Sequence, residues 1–471
     1  RNTLILVSLR VILPLFGFVL VLILSRYLGV DALGRYTLGF SYLYVFSSLG
    51  PLGLYSVITR EGSKDQANLQ RVLGNSLTLG SLASIPLTIA MAGLAYILDY
   101  DQATRNSILI LSLAIFPSTI KTFLDGSLVA LERMDYILIS TVVEYSIKVG
   151  LGIFLLYLSN SLEFVISMAV LGSLIGCLIS IQLLKGVGII VRWIWQKDAI
   201  KDLLSLAPTF LLISIFATLY WRVDTFMLAQ LRPVEDVGYY GGAFRVLELV
   251  MVVPQSFCLS LFPHISYAAA NDLYALGAIG RNAMRYLMGI SLPVSIGGVL
   301  LSGPILELLY GSSFLVASST LNILMLSIIP YSIVRYHAYV LVGANHQQAD
   351  LWLNVILSLI NVMLNLIWIP NYGYFGAALA TFISICAYAI LQFLYLKFYL
   401  PGHGASLKIP FVIIVGCAAM TLILLLIRDG NVIISIMLGC MTYFAIILMG
   451  GFFTKSELKL LNIDRLTFKK I

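Results

Sequence analysis

The chain has 471 residues, of which 60% are hydrophobic and only 11% charged, with a mean hydropathy of +0.98 and a formal net charge of +7. A soluble globular domain carries about 25% charged residues to face water; with so few, lipid must cover most of this surface, which excludes a string of soluble domains. The five cysteines (Cys177, Cys258, Cys386, Cys417, Cys440) stand singly in apolar runs and the four histidines form no cluster, so neither a metal site nor a disulfide framework is expected.

In chain order, apolar runs predict membrane-crossing helices near residues 4–28, 37–58, 73–98, 106–127, 137–158 and 164–184. The first is too long for the core of a signal peptide and lacks an A-x-A cleavage pattern, so it reads as a permanent helix. A further six follow near 203–229, 239–263, 283–303, 321–342, 353–370 and 376–398, and two more near 409–427 and 432–453. Phe164–Leu184, Ile409–Ile427 and Val432–Phe453 contain no charge at all. In hydrocarbon such a run must be helical, because lipid offers its backbone no hydrogen-bond partner. The fold class expected is therefore an all-α polytopic membrane protein with about 14 transmembrane helices.

The loops assign sidedness. About 18 Lys and Arg fall on one set of loops and tails against about 5 on the other, which places the rich side, with both termini, in the cytoplasm. The charge surplus is then a topology signal, and no basic stripe with interleaved aromatics suggests a nucleic-acid partner. In the loop Gly186–Leu204, Trp193 and Trp195 sit beside Arg192, Lys197 and Lys201, the pattern of a helix lying in the membrane interface or of a plain anchored linker. It separates an N-lobe, 1–184, from a C-lobe, 203–398, across an amphipathic linker at 185–202; residues 399–471 add two spans and a cytoplasmic tail.

The lobes repeat. Val30-Asp31-Ala32-Leu33-Gly34-Arg35-Tyr36 aligns with Val234-Glu235-Asp236-Val237-Gly238-Tyr239-Tyr240 at an offset of 204 residues, and Phe40 then meets Phe244. Six spans per repeat return both halves to the same orientation, which predicts two six-helix lobes related by a pseudo-twofold axis along the membrane normal. Lobes so arranged can open a cleft to either side in turn, the architecture of a transporter.

Three stretches resemble a known family. They are Tyr220-Trp221-Arg222-Val223-Asp224-Thr225-Phe226-Met227-Leu228 with the downstream Val237-Gly238-Tyr239-Tyr240, the turn from Leu28-Gly29 to Gly34-Arg35-Tyr36, and Asn371-Tyr372-Gly373-Tyr374-Phe375-Gly376-Ala377. In this order they look like the polysaccharide transport family of the MOP flippase superfamily, which contains the Wzx-type O-antigen flippases. The resemblance implies a non-enzymatic flippase of the bacterial cytoplasmic membrane. It would transfer an undecaprenyl-diphosphate-linked oligosaccharide outward by alternating access, as a monomer serving a polysaccharide polymerase machinery. A peptidoglycan-precursor flippase or a multidrug exporter of the same superfamily is the nearest alternative; a membrane polysaccharide polymerase or ligase is the alternative of another class.

Ionisable groups inside spans are costly and usually face a cavity or a partner. The basic ones are Arg10, Lys121, Lys148, Arg222, Arg245 and Arg335; the acidic ones are Asp125, Glu144, Asp224 and Glu248. Lys121/Asp125 and Glu144/Lys148 are four apart and Arg245/Glu248 three apart, so each pair can close on its own helix face. Asp224 pairing with Arg245 would free Arg222. Guanidinium forks bind phosphate oxygens bidentately, so Arg10, Arg222, Arg245 and Arg335, with Lys148, are the expected diphosphate contacts. Tyr36, Tyr44 and Tyr240 are candidates to stack on sugar rings. No Walker A motif occurs and no cofactor is expected; the drive would come from the membrane potential or from H+ or Na+ titrating Asp224, Glu248 or Glu144. Pro14 with Gly17 is the expected hinge of the first span.

Overall fold

The computed structural model describes residues 15–65, 68–205, 221–400, 409–427 and 430–453 in full, and the backbone alone of 2–14, 66–67 and 206–220. Arg10 and Pro14 therefore have side chains outside the described residues. The chain runs through α1 (Asn2–Leu49), α2 (Leu54–Gly62), α3 (Gln66–Ile97), α4 (Gln102–Ser112), α5 (Ile115–Ala130), α6 (Met134–Tyr145), a π-helical turn (Ser146–Leu151), α7 (Gly152–Ser159) and α8 (Leu162–Gly186). It continues through α9 (Lys197–Leu231), α10 (Val234–Asn271), α11 (Leu273–Leu300), α12 (Ser302–Tyr310), α13 (Ser318–Leu326), α14 (Ile328–Gly343), α15 (Gln347–Tyr399), α16 (Phe411–Leu426) and α17 (Val432–Met449). Ten described helical segments are long and apolar enough to cross a membrane. Two of the helices, α1 and α15, are broken at Gly29 (φ 80°) and Gly373 (φ 54°) and each carries two of the expected spans. With α9 and α16 these account for the spans read from the sequence.

One boundary moves. The second expected span, 37–58, ends instead at Leu49, because Pro51, Leu52 (φ 51°) and Gly53 (φ 73°) turn the chain before α2 begins. A second correction concerns the loop with the two tryptophans. Residues 189–196 are not helical. They form an extended strap along α3, where the Ile194 amide donates to the Gly74 carbonyl at 3.1 Å and Thr78 Oγ1 donates to the Ile194 carbonyl at 2.9 Å. Trp193 Nε1 donates to Ser81 Oγ at 2.9 Å, and the Gln196 amide to Asn75 Oδ1 at 2.8 Å. A Cβ on Gly74 would stand 2.7 Å from Ile194 Cδ1, so only glycine admits the strap there. A carbonyl and two side chains of α3 satisfy the strap's backbone at Ile194 and Gln196, and a helix is not needed there.

The chain divides into two compact units, residues 1–245 with 362–377, and residues 246–361 with 378–471. These run across the lobe boundaries drawn from the sequence. In the first unit, Leu54, Ile58, Leu73, Leu77, Phe123 and Leu128 form a closed core with Ile189 of the strap. The repeat motif supplies a second contact there. A Cβ on Gly34 would lie 2.1 Å from the Val234 carbonyl oxygen, and one on Gly238 would lie 2.2 Å from that of Val30. The four residues are two pairs at the repeat offset, so the same contact is made twice, reciprocally, as a local twofold requires. In the second unit α11 packs on α13, α14 and α16. Met325 presses on Gly298, Ser291 and Ser332 share a hydrogen bond of 2.6 Å, and Tyr443 Oη donates to the Gly289 carbonyl at 2.5 Å.

Overpacking of a close backbone crossing costs about 1–3 kcal/mol. Gly34→Val and Gly238→Val are each expected to lower the melting temperature of the purified protein by several degrees, whereas Gly17→Ala, whose Cβ meets nothing within 4 Å, leaves it unchanged. Thermal unfolding in detergent measures both.

Candidate functional site

Tyr36, Phe40 and Tyr44 recur every four residues on α1 and so share one face. Their rings follow one another at centroid distances of 4.3 Å and 6.4 Å. Tyr36 and Phe40 are buried, while Tyr44 is 42% exposed, so the stripe opens at one end. Two cations lie on it. Lys148 Nζ stands 4.2 Å from the Phe40 centroid and 5.3 Å from that of Tyr145, and the Arg222 guanidinium stands 4.9 Å from that of Tyr44. Both are cation–π distances. Arg245 is a third, within electrostatic reach of Tyr36. The structure thus brings Tyr36, Tyr44, Lys148, Arg222 and Arg245 together within one unit.

Lys148 reaches this face from the π-helical turn that follows α6. Such turns carry one residue more than an α-helical turn and are frequent at functional positions. The expected Glu144–Lys148 pair is absent: among the described residues no carboxylate oxygen lies within 4 Å of Lys148 Nζ. Four-residue spacing brings side chains together only while the helix stays α-helical, and the π turn breaks that register. Glu144 turns to Lys121 instead, at 3.5 Å. The expected Lys121–Asp125 pair is present at 2.8 Å, and Lys121 also donates to Thr141 Oγ1 at 3.3 Å.

Asp224 is buried in the same unit and accepts from Tyr240 Oη at 2.8 Å and from Asn365 Nδ2 at 2.6 Å. Tyr240 stacks on Phe244 at 5.5 Å, repeating the Tyr36–Phe40 pair. Tyr240 thus anchors a carboxylate through its hydroxyl. Asn365 escaped the sequence reading, although asparagines at 361 and 365 in an otherwise apolar run are themselves a signal, since an amide in hydrocarbon needs a partner. Two cavities of about 290 and 380 Å³ were missed as well; they share Asp31 and Arg35, and Asp99, Asp101 and Glu235 line the larger. Arg35 pairs there with Asp31 at 2.8 Å and Asp101 at 3.5 Å, so these cavities are acidic. Arg335 lies in the second unit, its guanidinium 5.5 Å from the Tyr339 ring, with Tyr331 and Cys258 as neighbours. Arg245 and Glu248 fall on either side of the division between the units.

A chain whose described elements are all helices, ten segments of them long and apolar enough to cross a membrane, is a polytopic membrane protein. A lipid II flippase in an inward closed conformation superposes with a TM-score of 0.77 at 17% identity, covering 94% of this chain and 98% of that one. An inward-facing multidrug resistance MATE family transporter of the MOP superfamily superposes with a TM-score of 0.67 at 16% identity, covering 84% and 98%. Residues 1–268 match the polysaccharide biosynthesis protein family and residues 208–367 the MatE family; the chain belongs to the polysaccharide biosynthesis protein family. It is 27% identical to a probable low-salt glycan biosynthesis flippase of Haloferax volcanii over 45% of this chain and 44% of that one. It is 22% identical to a protein of Shigella flexneri named as an O-antigen transporter over 82% and 93%. The chain thus spans less than half the length of the archaeal relative.

Removing a hydrogen bond from a buried carboxylate costs about 1–3 kcal/mol. Tyr240→Phe is therefore expected to lower the melting temperature, and Tyr240→Phe combined with Asp224→Asn to regain part of the loss, because an amide is less costly to leave under-satisfied than a charge.

Proposed function

We propose that the chain is a flippase that carries a polyprenyl-diphosphate-linked oligosaccharide from the cytoplasmic to the outer leaflet by alternating access. The observation that carries this reading is the placement of Lys148 and Arg222 on one aromatic stripe of α1, with Arg245 near it. A diphosphate is barred from bare hydrocarbon, where an isolated ion costs tens of kcal/mol on the Born estimate. Ammonium and guanidinium groups on aromatic faces keep their charge, and an anionic head group can exchange its hydration water for them. Arg222 supplies a bidentate fork and Lys148 a point charge; Tyr36 and Tyr44 offer rings and hydroxyls for the first sugars. Arg10 and Arg335 extend the same proposal to the first and tenth spans. The lipid tail stays in the bilayer throughout, and no covalent chemistry is required. The names of relatives support the class of cargo: a glycan biosynthesis flippase in an archaeon and an O-antigen transporter in a bacterium.

With the cell interior negative, outward movement of about 2 negative charges across about 100 mV contributes about 4–5 kcal/mol. Asp224, held by Tyr240 and Asn365, is the group we assign to return of the empty carrier, binding H+ or Na+ in exchange. Glu144 and Glu248 are the other candidates for that role.

In a host lacking its own flippase, the wild-type gene is expected to restore surface polysaccharide. Arg222→Ala and Lys148→Ala should reduce it at least tenfold with unchanged protein in the membrane, the lipid-linked oligosaccharide accumulating in the cytoplasmic leaflet. Full restoration by both variants would remove the cationic stripe from the mechanism. Asp224→Asn should retain binding of a prenyl diphosphate but lose the dependence of transfer on external pH or Na+.

A further inference from the structure

The two four-residue pairs on α5 and α6 do not close symmetrically. Lys121 takes both carboxylates, Asp125 at 2.8 Å and Glu144 at 3.5 Å, while Lys148 keeps none within 4 Å among the described residues. Lys148 and Glu144 are nonetheless only four residues apart, and Glu144 is the acidic group whose charge Lys148 feels. An extra residue in a helical turn rotates the downstream residues by about 100°, and the π turn starting at Ser146 carries Lys148 toward Phe40 in this way. Gly172 and Gly176 of α8 let that helix close on α6: a Cβ at 172 would lie 2.8 Å from the Glu144 carbonyl, and one at 176 would lie 3.1 Å from Glu144 Oε2 and 3.3 Å from Lys121 Cε. Helix α8 packs against both Glu144 and Lys148, and a Cβ at Gly172 would also stand 3.6 Å from Lys148 Cβ. Lys121 itself is almost fully buried, its ammonium enclosed by Asp125, Glu144 and Thr141.

We infer that Lys121 is a positioning residue for anion binding: by holding Glu144, it keeps the nearest carboxylate off Lys148 and so leaves the Lys148 ammonium for a phosphate oxygen. Glu144 is the internal competitor of the ligand. Remove Lys121, and among the described residues Lys148 is the other cation that acts on Glu144. The inference rests on the reading of Lys148 as a diphosphate contact and goes beyond it, since Lys121 never touches the ligand.

The test is a mutant cycle on the full chain in detergent, with farnesyl diphosphate as the probe, affinity measured by thermophoresis and melting temperature measured alongside. Lys121→Met is expected to weaken binding by about tenfold, the size of one close charge pair. Adding Glu144→Gln to Lys121→Met is expected to restore affinity to within about threefold of wild type, again on the scale of one charge pair. Glu144→Gln alone should bind as well as wild type or more tightly, and Asp125→Asn, which leaves the Lys121–Glu144 contact in place, should not weaken binding. A purely structural role for Lys121 predicts the opposite: affinity would follow melting temperature, Asp125→Asn would weaken binding like Lys121→Met, and Glu144→Gln would rescue nothing. Either of the last two results overturns the inference, as does undiminished binding by Lys121→Met. If wild type fails to bind the probe, or Lys148→Gln binds it fully, the reading of the site falls and takes this inference with it; tight wild-type binding lost in Lys148→Gln but unmoved by Lys121→Met defeats the inference alone.

Discussion

The cost of a polar group that lipid cannot solvate governs this protein at every level. That cost makes the apolar runs helical, because each backbone group must find its partner within its own helix. One of the two breaks stands beside charged groups. At Gly373 the chain turns against Asp236 and Arg232, and a Cβ there would lie 2.5 Å from the Asp236 carboxylate. The same cost makes each buried cation informative. Lys121 is enclosed by two carboxylates and a hydroxyl, and explains itself. Lys148 is met by aromatic rings instead. A cation held by quadrupoles rather than by a counter-ion keeps its charge available, which is the property an anion carrier needs.

The two halves of the chain share a scaffold and differ in what they hang on it. Gly34 and Gly238 make the same contact with the backbone of the opposite repeat, and Tyr36–Phe40 and Tyr240–Phe244 repeat the same ring pair. At the same offset Asp224 corresponds to Leu20, which is fully buried. The duplicated framework therefore carries a carboxylate in one copy and a hydrocarbon side chain in the other. Tyr240 binds Asp224, whereas the stripe of Tyr36 faces Lys148 and Arg222. On the proposed function, an anion carried one way and a cation that resets the carrier need chemically unlike sites, and the repeat provides two places to build them.

Much of the fold was legible because its signals are long. A span is an apolar run of about twenty residues, and Gly29 and Gly373 stand where runs meet. The repeat showed through seven aligned residues because a close crossing tolerates only glycine at Gly34 and Gly238. Short-range geometry was less legible. The placement of Lys148 follows a π turn, which leaves hydropathy unchanged and shifts only the angular register. The strap at 189–196 looked amphipathic because Trp193 and Trp195 flank basic residues; what decides its conformation is Gly74, far earlier in the chain. The bond from Asn365 to Asp224 likewise joins distant segments. Arg222 and Lys148 could be named from the sequence as costly charges, but that they share the Phe40–Tyr44 face required coordinates.

The central claim is that the α1 stripe receives the phosphate groups of a lipid carrier, and photo-crosslinking tests it most directly. A polyprenyl diphosphate bearing a diazirine next to the head group would be irradiated with the purified protein and the adducts mapped by mass spectrometry. The account predicts adducts within Tyr36–Tyr44 and Ser146–Leu151 that excess pyrophosphate suppresses. Adducts confined to other helices, or unmoved by pyrophosphate, would contradict it.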